Sequence, residues 1–464
     1  MATFSVVFAK LNGNIYLGIK HLVMDYVLIK NGKIISDDEV VESDLLIGNN
    51  KIVAIGNGLE RPEPETPVID AGGKYLLPGA IDTSISFGEL CQVESDIQVR
   101  FNQAEVMGGT TAIIETMMPG YSLNATSELI NRRNKKFFVV PDYSFHLALQ
   151  GWEGMTAKDI DYCYSHEGIT SFFLQWPLLE SYSQAKLDEL LQVIAYFDLV
   201  IVLEMQQPEI IGYGHPELDV KYKESIDEHL RQFRFIISKI IKYGCRLCLL
   251  GLSFKEQLDI IDEFKEYGLI TAELVFPYNI GGQDRYEVNE DSIFSGFSLA
   301  NRLTLIPTDK LWELLHEPHY FLARPLINLS GEGIVKDSQV NNRPDEFFLL
   351  KNFLSVVYTA GVVEGNITIS EFASIVSGRQ SKLFGLYPKK GVLKIGADAD
   401  IVIWDPDFER NLYCNFPVGM KGESKSIKLH GRPDFVFARG NMVYDGENFT
   451  KEGCCGKYLY RSPV

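Results

Sequence analysis

The sequence predicts an α/β protein: a (β/α)8 TIM barrel joined to a small β-sandwich domain built from both ends of the chain. Three observations predict it. The middle of the 464-residue chain alternates short, near-continuous apolar runs with amphipathic helical stretches, the pattern of parallel strands buried on both faces. The count of such runs is eight. The two ends instead carry short β segments divided by turn signals, with no crossover helices between them.

The eight runs fall at about 76–86, 110–117, 136–147, 170–176, 199–205, 245–252, 269–276 and 323–330. Helical stretches lie between them around 94–108 and 124–134, and in SQAKLDELLQVIAYF (183–197). A long helix follows, in which Ile226, Leu230, Phe233, Ile237 and Ile240 share one face and Gly244 serves as the C-cap. Eight strands, mostly each followed by a helix, fit a closed barrel. An open doubly wound sheet is the alternative, and no glycine-rich first βα turn supports it. At the ends, Asn31-Gly32, Asn49-Asn50 and Gly72-Gly73 punctuate 24–75, while GVLKIG, ADIVIWDP, PDFVFARG and NMVYDG repeat that texture after 386. The expected division is an extension over 1–23 outside the fold, a β-sandwich from 24–75 plus 386–464, and a barrel over 76–385. Met24 opens the first clear β pattern and is a candidate start.

Composition narrows the function. With 44 Lys and Arg against 62 Asp and Glu, the net charge of −18 disfavours nucleic acid and anionic membrane surfaces as partners. No apolar run is long enough to span a bilayer. Lys10 and Asn12 interrupt the N-terminal apolar stretch, so it does not read as a secretory signal. Seven cysteines suit a reducing cytosol, and a cytoplasmic location is expected. Cys245 and Cys248 have CxxC spacing, but in a strand they point to opposite faces. Cys454 and Cys455 lie in a glycine-flanked tail.

The segment KKGVLKIGADADIVIWDP (389–406), following SKLFGLYP (381–388), closely resembles the closing motif of cyclic amidohydrolases of the dihydropyrimidinase and hydantoinase type. MDYVLIKNGKII, AGGKYLLPGAID (71–82), GGTTAIIETMMP (108–119), VPDYSFHLAL (140–149) and GITSFF (168–173) resemble further stretches of that family. The resemblance runs from about 24 to 460. It implies a binuclear metal centre held by an HxH pair on the first strand, a carboxylated lysine on the fourth, histidines on the fifth and sixth, and an aspartate on the eighth. Two zinc-like cations need several imidazole or carboxylate donors at about 2 Å, and bridging them lowers the pKa of a shared water toward neutrality. The resemblance also implies tetramers, and the family includes the non-enzymatic collapsin response mediator proteins.

Carried over by motif, those positions are altered. Ser84 and Ser86 stand for the two histidines, Phe173 for the lysine, Glu204 for the fifth-strand histidine and Gly251 for the sixth. The aspartate position falls near Asn328, with Glu332 and Asp337 the nearest carboxylates. The expectation is therefore no catalytic residues, no zinc and no other cofactor. Glu115, His146 and Glu204 form a candidate substitute ligand set on the rim, although His146 in DYSFHLAL reads more simply as structural. Ser84 or Ser86 with His146 as base is a second candidate, without a Gly-x-Ser-x-Gly elbow to support it. Ser84, Ser86, Gln175, Glu204 and Asn328 would line a residual pocket, with Phe173 filling the volume of lysine and metals. Of the eight histidines, His316 and His319 have helical spacing, but Pro318 between them breaks the helix.

The leading expectation is a catalytically inactive dihydropyrimidinase-like protein acting as a binding or scaffold subunit. It would assemble as a homo-oligomer or with an active relative. The alternatives are a hydrolase of a cyclic amide or related C–N bond with a remodelled site, and a small-molecule sensor using the barrel mouth.

Overall fold

The structure is a computed structural model that describes residues 8–11, 14–17, 26–36, 39–86, 95–118, 124–134, 140–149, 152, 155–175, 183–204, 216–252, 254–275, 306–323, 327–328, 346–413, 426–450 and 456–463. A hairpin comes first, β1 (Phe8–Leu11) and β2 (Asn14–Leu17), forming its own two-stranded sheet. Then follow β3 (Tyr26–Ile35), β4 (Val40–Gly48), β5 (Lys51–Gly56), β6 (Val68–Asp70) and β7 (Tyr75–Pro78).

The barrel strands are β8 (Ala80–Ser86), β9 (Thr110–Met117), β10 (Asp142–Ala148), β11 (Ser171–Gln175), β12 (Val200–Glu204), β13 (Arg246–Leu252), β14 (Ile270–Val275), β15 (Tyr320–Ala323) and β16 (Ile327–Asn328). Each pairs parallel with its neighbours in chain order. β15 lies on β14 and β16 lies on β8, so two short pieces share the eighth position and nearly close the ring.

Two strand expectations change. The eighth strand begins at Tyr320 rather than 323. The run 76–86 is two strands, because Gly79 sends β7 into one sheet and β8 into the barrel. A Cβ on Gly79 would meet Thr111 Oγ1 at 2.0 Å, so no side chain fits at this crossing.

Register sorts the strand residues into two faces. Ala112, Ile114, Ala148, Phe173, Val200, Val202, Cys248, Leu250 and Phe321 form one buried cluster inside the barrel. The alternate residues, such as Ile113, Phe145, Phe172, Ile201 and Leu247, pack outward into a larger cluster shared with the helices.

Those helices are α1 (Ser95–Met107), α2 (Ala125–Asn134), α3 (Ala157–Glu167), α4 (Gln184–Tyr196), α5 (Pro216–Lys242), α6 (Lys255–Asp262), α7 (Thr308–Leu315) and α8 (Glu346–Val357). Their starts are written locally: Thr156 and Asp159 form a capping box on α3, and the Ser183 side chain accepts from the Lys186 N–H on α4. Phe233, Ile237 and Ile240 of α5 are buried, and Gly244 follows that helix with φ 75°. None of the described helices is long and apolar enough to cross a membrane. Cys245 faces outward, its thiol on the Leu191 carbonyl, while Cys248 faces the barrel interior. Cys454, Cys455 and Met24 lie outside the described residues.

The last strands, β17 (Ile401–Tyr413), β18 (Ser426–Ala438) and β19 (Asn441–Tyr444), return to the first ones. β17 pairs with β7 and β7 with β3, giving a mixed sheet ordered β19-β18-β17-β7-β3-β4-β5. Its own core holds Val27, Ile29, Leu45, Ile47, Leu76, Leu393, Ile401 and Phe437.

A buried ion network fastens this sheet to the barrel. Lys390 Nζ reaches Asp142 Oδ2 of β10 at 2.6 Å, Asp398 Oδ2 at 3.1 Å, and Asp400. Arg439 Nε donates to Asp142 Oδ1 at 2.8 Å, and Lys51 Nζ pairs with Asp398 Oδ1 at 2.6 Å.

The end of the chain then crosses the barrel floor. Lys457 N–H donates to Asp142 Oδ1, Leu459 N–H to the Tyr143 carbonyl, and Arg461 N–H to the Gly168 carbonyl. Leu459 enters the interior cluster, so these residues serve the barrel rather than the sheet with which the sequence grouped them.

Candidate functional site

Chemistry in a (β/α)8 barrel sits at the C-terminal ends of its strands. On β8, Ser84 is buried. Its hydroxyl donates to Glu273 Oε1 at 2.5 Å, and the Thr83 hydroxyl donates to Oε2 at 2.8 Å. Glu273, on β14, is 2 % exposed, and its Cα partner is Phe321 of the interior cluster. The sequence reading missed it; the available signal was one carboxylate inside the apolar run LITAELVF. Ser86 and Asn328 are Cα partners across β8 and β16, which brings those two sequence-selected positions together at the backbone. Their side chains, and all of Glu332 and Asp337, lie outside the described residues.

Phe173 is 2 % exposed in the interior cluster. Cα pairing runs Ala148, Phe173, Val202, Cys248 across four consecutive strands, an apolar tier in the middle of the barrel. Burial, with the Glu273 charge adding to it, holds the Cys248 thiol well above its ordinary pKa. Gly251 sits at a register shift in β13 with φ 75°, in the left-handed region where a side chain is strained. Glu204 ends β12, paired through Cα with Gln175 on one side and Leu250 on the other. Burial pushes its carboxyl up to about 7.

Two expected rim residues lie elsewhere. Glu115 points away from the mouth. Its Cα neighbours in β9, Ile114 and Thr116, take the inward parity, and its carboxylate accepts from Arg132 of α2 at 3.2 Å. Arg132 also binds Glu128 at 3.1 Å, so Glu115 belongs to a buried strand-to-helix ion group.

His146 is on the inward face but deep, not on the rim. It is fully buried, with its ring 4.8 Å from Phe384 and Nδ1 2.6 Å from Ser171 Oγ, where β11 begins. Arg461 enters from the floor and donates to that same Ser171 hydroxyl at 2.8 Å and to the Phe145 carbonyl. Burial first, and the Arg461 charge second, hold the His146 imidazole well below its ordinary pKa, against a smaller opposing effect of the Thr83 backbone. Burial also brings the Arg461 guanidinium down to about 10. His316 binds Glu371 Oε1 at 2.7 Å in a half-exposed turn, away from the barrel mouth.

The donors at these positions do not fit a pair of divalent cations. Ser84 is engaged with Glu273, Phe173 is a packed ring and Gly251 has no side chain. Among the described residues, Asp142, Asp398 and Asp400 are the one group of three candidate ligand side chains within reach of one another, and Lys390 occupies its centre.

A parallel barrel with a split eighth strand, carried beside a mixed sheet drawn from both chain ends, defines an α/β TIM-barrel protein with a small second β domain. No protein-family model matches the chain. The D-hydantoinase of Geobacillus stearothermophilus is 27% identical over 467 residues, covering 94% of this chain and 96% of that protein. Human dihydropyrimidinase-related protein 5 is 24% identical over 460 residues, covering 93% and 80%. The crystal structure of dihydropyrimidinase from Brevibacillus agri shares the fold with a TM-score of 0.73 at 22% identity, covering 94% of this chain and 99% of that one. Over nearly its whole length this chain is similar to cyclic amidohydrolases of the dihydropyrimidinase and hydantoinase type.

Proposed function

We propose that this protein is a catalytically inactive member of its family, holding no zinc and acting as a binding or scaffold subunit in the cytoplasm. Its partners are copies of itself in a tetramer, or an active relative. One observation carries the reading. Where two cations would need imidazole and carboxylate donors, Phe173 packs into an apolar tier and Ser84 donates to Glu273. Each of those side chains already has a role in holding the barrel interior.

The test pairs metal analysis of the purified protein with hydrolysis assays on dihydrouracil and hydantoin. Substoichiometric zinc and no turnover are expected; stoichiometric zinc together with turnover overturns the reading. The alternative, hydrolysis of a cyclic amide at a remodelled site, draws on Glu204. Its carboxyl, pushed up to about 7, lies in the range that suits a general base. Turnover without bound metal that Glu204→Gln abolishes would establish that alternative.

A further inference from the structure

Arg461 is a cation that the fold buries without an anion. It is 2 % exposed, and its backbone N–H is fixed to the Gly168 carbonyl as the last segment crosses the barrel floor. Its side chain then runs to the Ser171 hydroxyl at 2.8 Å and to the Phe145 carbonyl, both of them neutral acceptors. No carboxylate among the described residues pairs with it. The acidic groups of the floor are committed elsewhere, Asp142 to Lys390 and Arg439, and Glu167 to Arg133. Glu273 stands across the barrel on β14, held by the Thr83 and Ser84 hydroxyls.

Unused donors line the same stretch of inner wall. The Arg461 Nε–H and the Ser144 and Thr116 hydroxyls are buried with no hydrogen-bond partner among the described residues. Register brings them together. Thr116 is the Cα partner of His146, and Ser144 lies two residues below His146 on the inward face of β10. Arg461 reaches this patch because Ser171 links it to His146. Ser171 accepts from Arg461, so its own proton goes to His146 Nδ1 at 2.6 Å, which keeps the imidazole proton on Nε2, toward the Thr83 backbone. The imidazole is thereby occupied at both nitrogens and offers Arg461 no negative charge.

We propose that the barrel floor binds a small inorganic anion of halide size, held by the Arg461 Nε–H with the Ser144 and Thr116 hydroxyls beside it. A guanidinium removed from water calls for an opposite charge next to it, which water bridging the hydroxyls does not supply. Charged N–H donors and hydroxyls are the groups that hold an anion. Arg461, Ser144 and Thr116 are each at most 4 % exposed, so the site selects a small, singly charged ion over a phosphate or an organic acid. Such a site would tie the last segment of the chain to the barrel, independently of whether the mouth turns over a cyclic amide.

Two measurements on the full-length protein test it. In thermal melts at constant sodium concentration, replacing gluconate by chloride from about 1 mM to about 100 mM should raise Tm by about 2 °C for a Kd of about 1 mM, and the rise should vanish in Arg461→Met. Crystals grown with sodium bromide should show an anomalous peak within hydrogen-bonding distance of Arg461 Nε. The same Tm in both salts, a rise that survives in folded Arg461→Met, or a water without anomalous signal beside Nε each overturns the proposal. If Arg461→Met does not fold, the bromide peak decides: its presence supports the anion site and its absence overturns it.

Discussion

Replacing Lys390 with methionine tests whether the buried ion network fastens the barrel to the sheet. The Lys390 side chain is 1% exposed, and the carboxylates of Asp142, Asp398 and Asp400 are 2%, 5% and 5% exposed. Three carboxylates face three cations, Lys390, Arg439 and Lys51. Burial by itself would lower the Lys390 ammonium, but Asp400, Asp142 and Asp398 outweigh it and hold it above its ordinary value. In the variant Asp142 keeps Arg439 and Asp398 keeps Lys51, while Asp400 retains the Arg439 backbone N–H at 2.7 Å. Breaking a buried pair from one side costs about 3–5 kcal/mol. With an unfolding entropy of about 2.1 cal/mol/K per residue over the whole chain, that loss is a fall in Tm of about 3–5 °C at pH 7.5.

Lowering the pH should return part of that loss. Burial already raises the Asp400 carboxyl in the wild type, ahead of Lys390, which opposes it. Without the lysine it rises further, so the folded variant takes up a proton at a pH where the unfolded chain does not. Each pH unit below that folded pKa recovers about 1.4 kcal/mol, until the unfolded aspartates also protonate near pH 4. The wild-type Lys390 contribution does not vary in this window, because a raised lysine keeps its stabilisation below about pH 10 and loses it only above. Thermal melts of both proteins from pH 5 to 8 measure the difference. A Tm change under about 1 °C, or a deficit that does not shrink toward pH 5, would refute the reasoning.

Three further outcomes follow from the barrel interior. Phe173→Ala should cost about 3–5 kcal/mol in denaturant unfolding, since the ring is surrounded by the apolar tier; a loss below about 1 kcal/mol would mean that the ring is not packed there. The His146 imidazole should stay neutral in NMR titrations from pH 5.5 to 8. Its depressed folded pKa stabilises the protein above about pH 6.5 and is lost as pH falls below it, by up to about 1.4 kcal/mol per unit; a midpoint near 6.5 in the folded state would contradict this. Arg461→Met should raise the His146 midpoint, because the guanidinium charge is the second cause of its depression, and an unmoved midpoint would place that charge elsewhere.

The architecture was legible because period and length carry it. The stretches 94–108 and 124–134 appear as Ser95–Met107 and Ala125–Asn134, and the apolar runs become the barrel strands. What failed was facing. Every residue of β9 is buried, so no polar alternation in TTAIIETM marks which side Glu115 takes; only its pairing with a specific helix does. His146 was placed on the rim because it comes late in its strand. The stagger between β10 and β11 instead sets it opposite Ser171, the first residue of the next strand. Arg461 has no periodic signal at all, since its burial comes from a tail that crosses the floor without regular structure.

The part of the sequence that most strongly resembles the family, 389–406, places its buried charges at the base of the barrel and not at the C-terminal strand ends. Lys390, Asp398 and Asp400 come from KKGVLKIGADAD and meet Asp142 at the start of β10, where they join sheet to barrel. Gly79, in LLPGAID, is required by the 2.0 Å approach to Thr111 at the same junction. These residues answer to packing and to buried charge, both of which persist whether or not the mouth performs chemistry. Ser84, Phe173 and Gly251 stand instead on the inner wall and strand ends of the barrel. A chain can therefore keep the closing motif intact while its strand ends change, so that motif reports the fold, and function has to be argued from Glu204, Glu273 and the tier around Phe173.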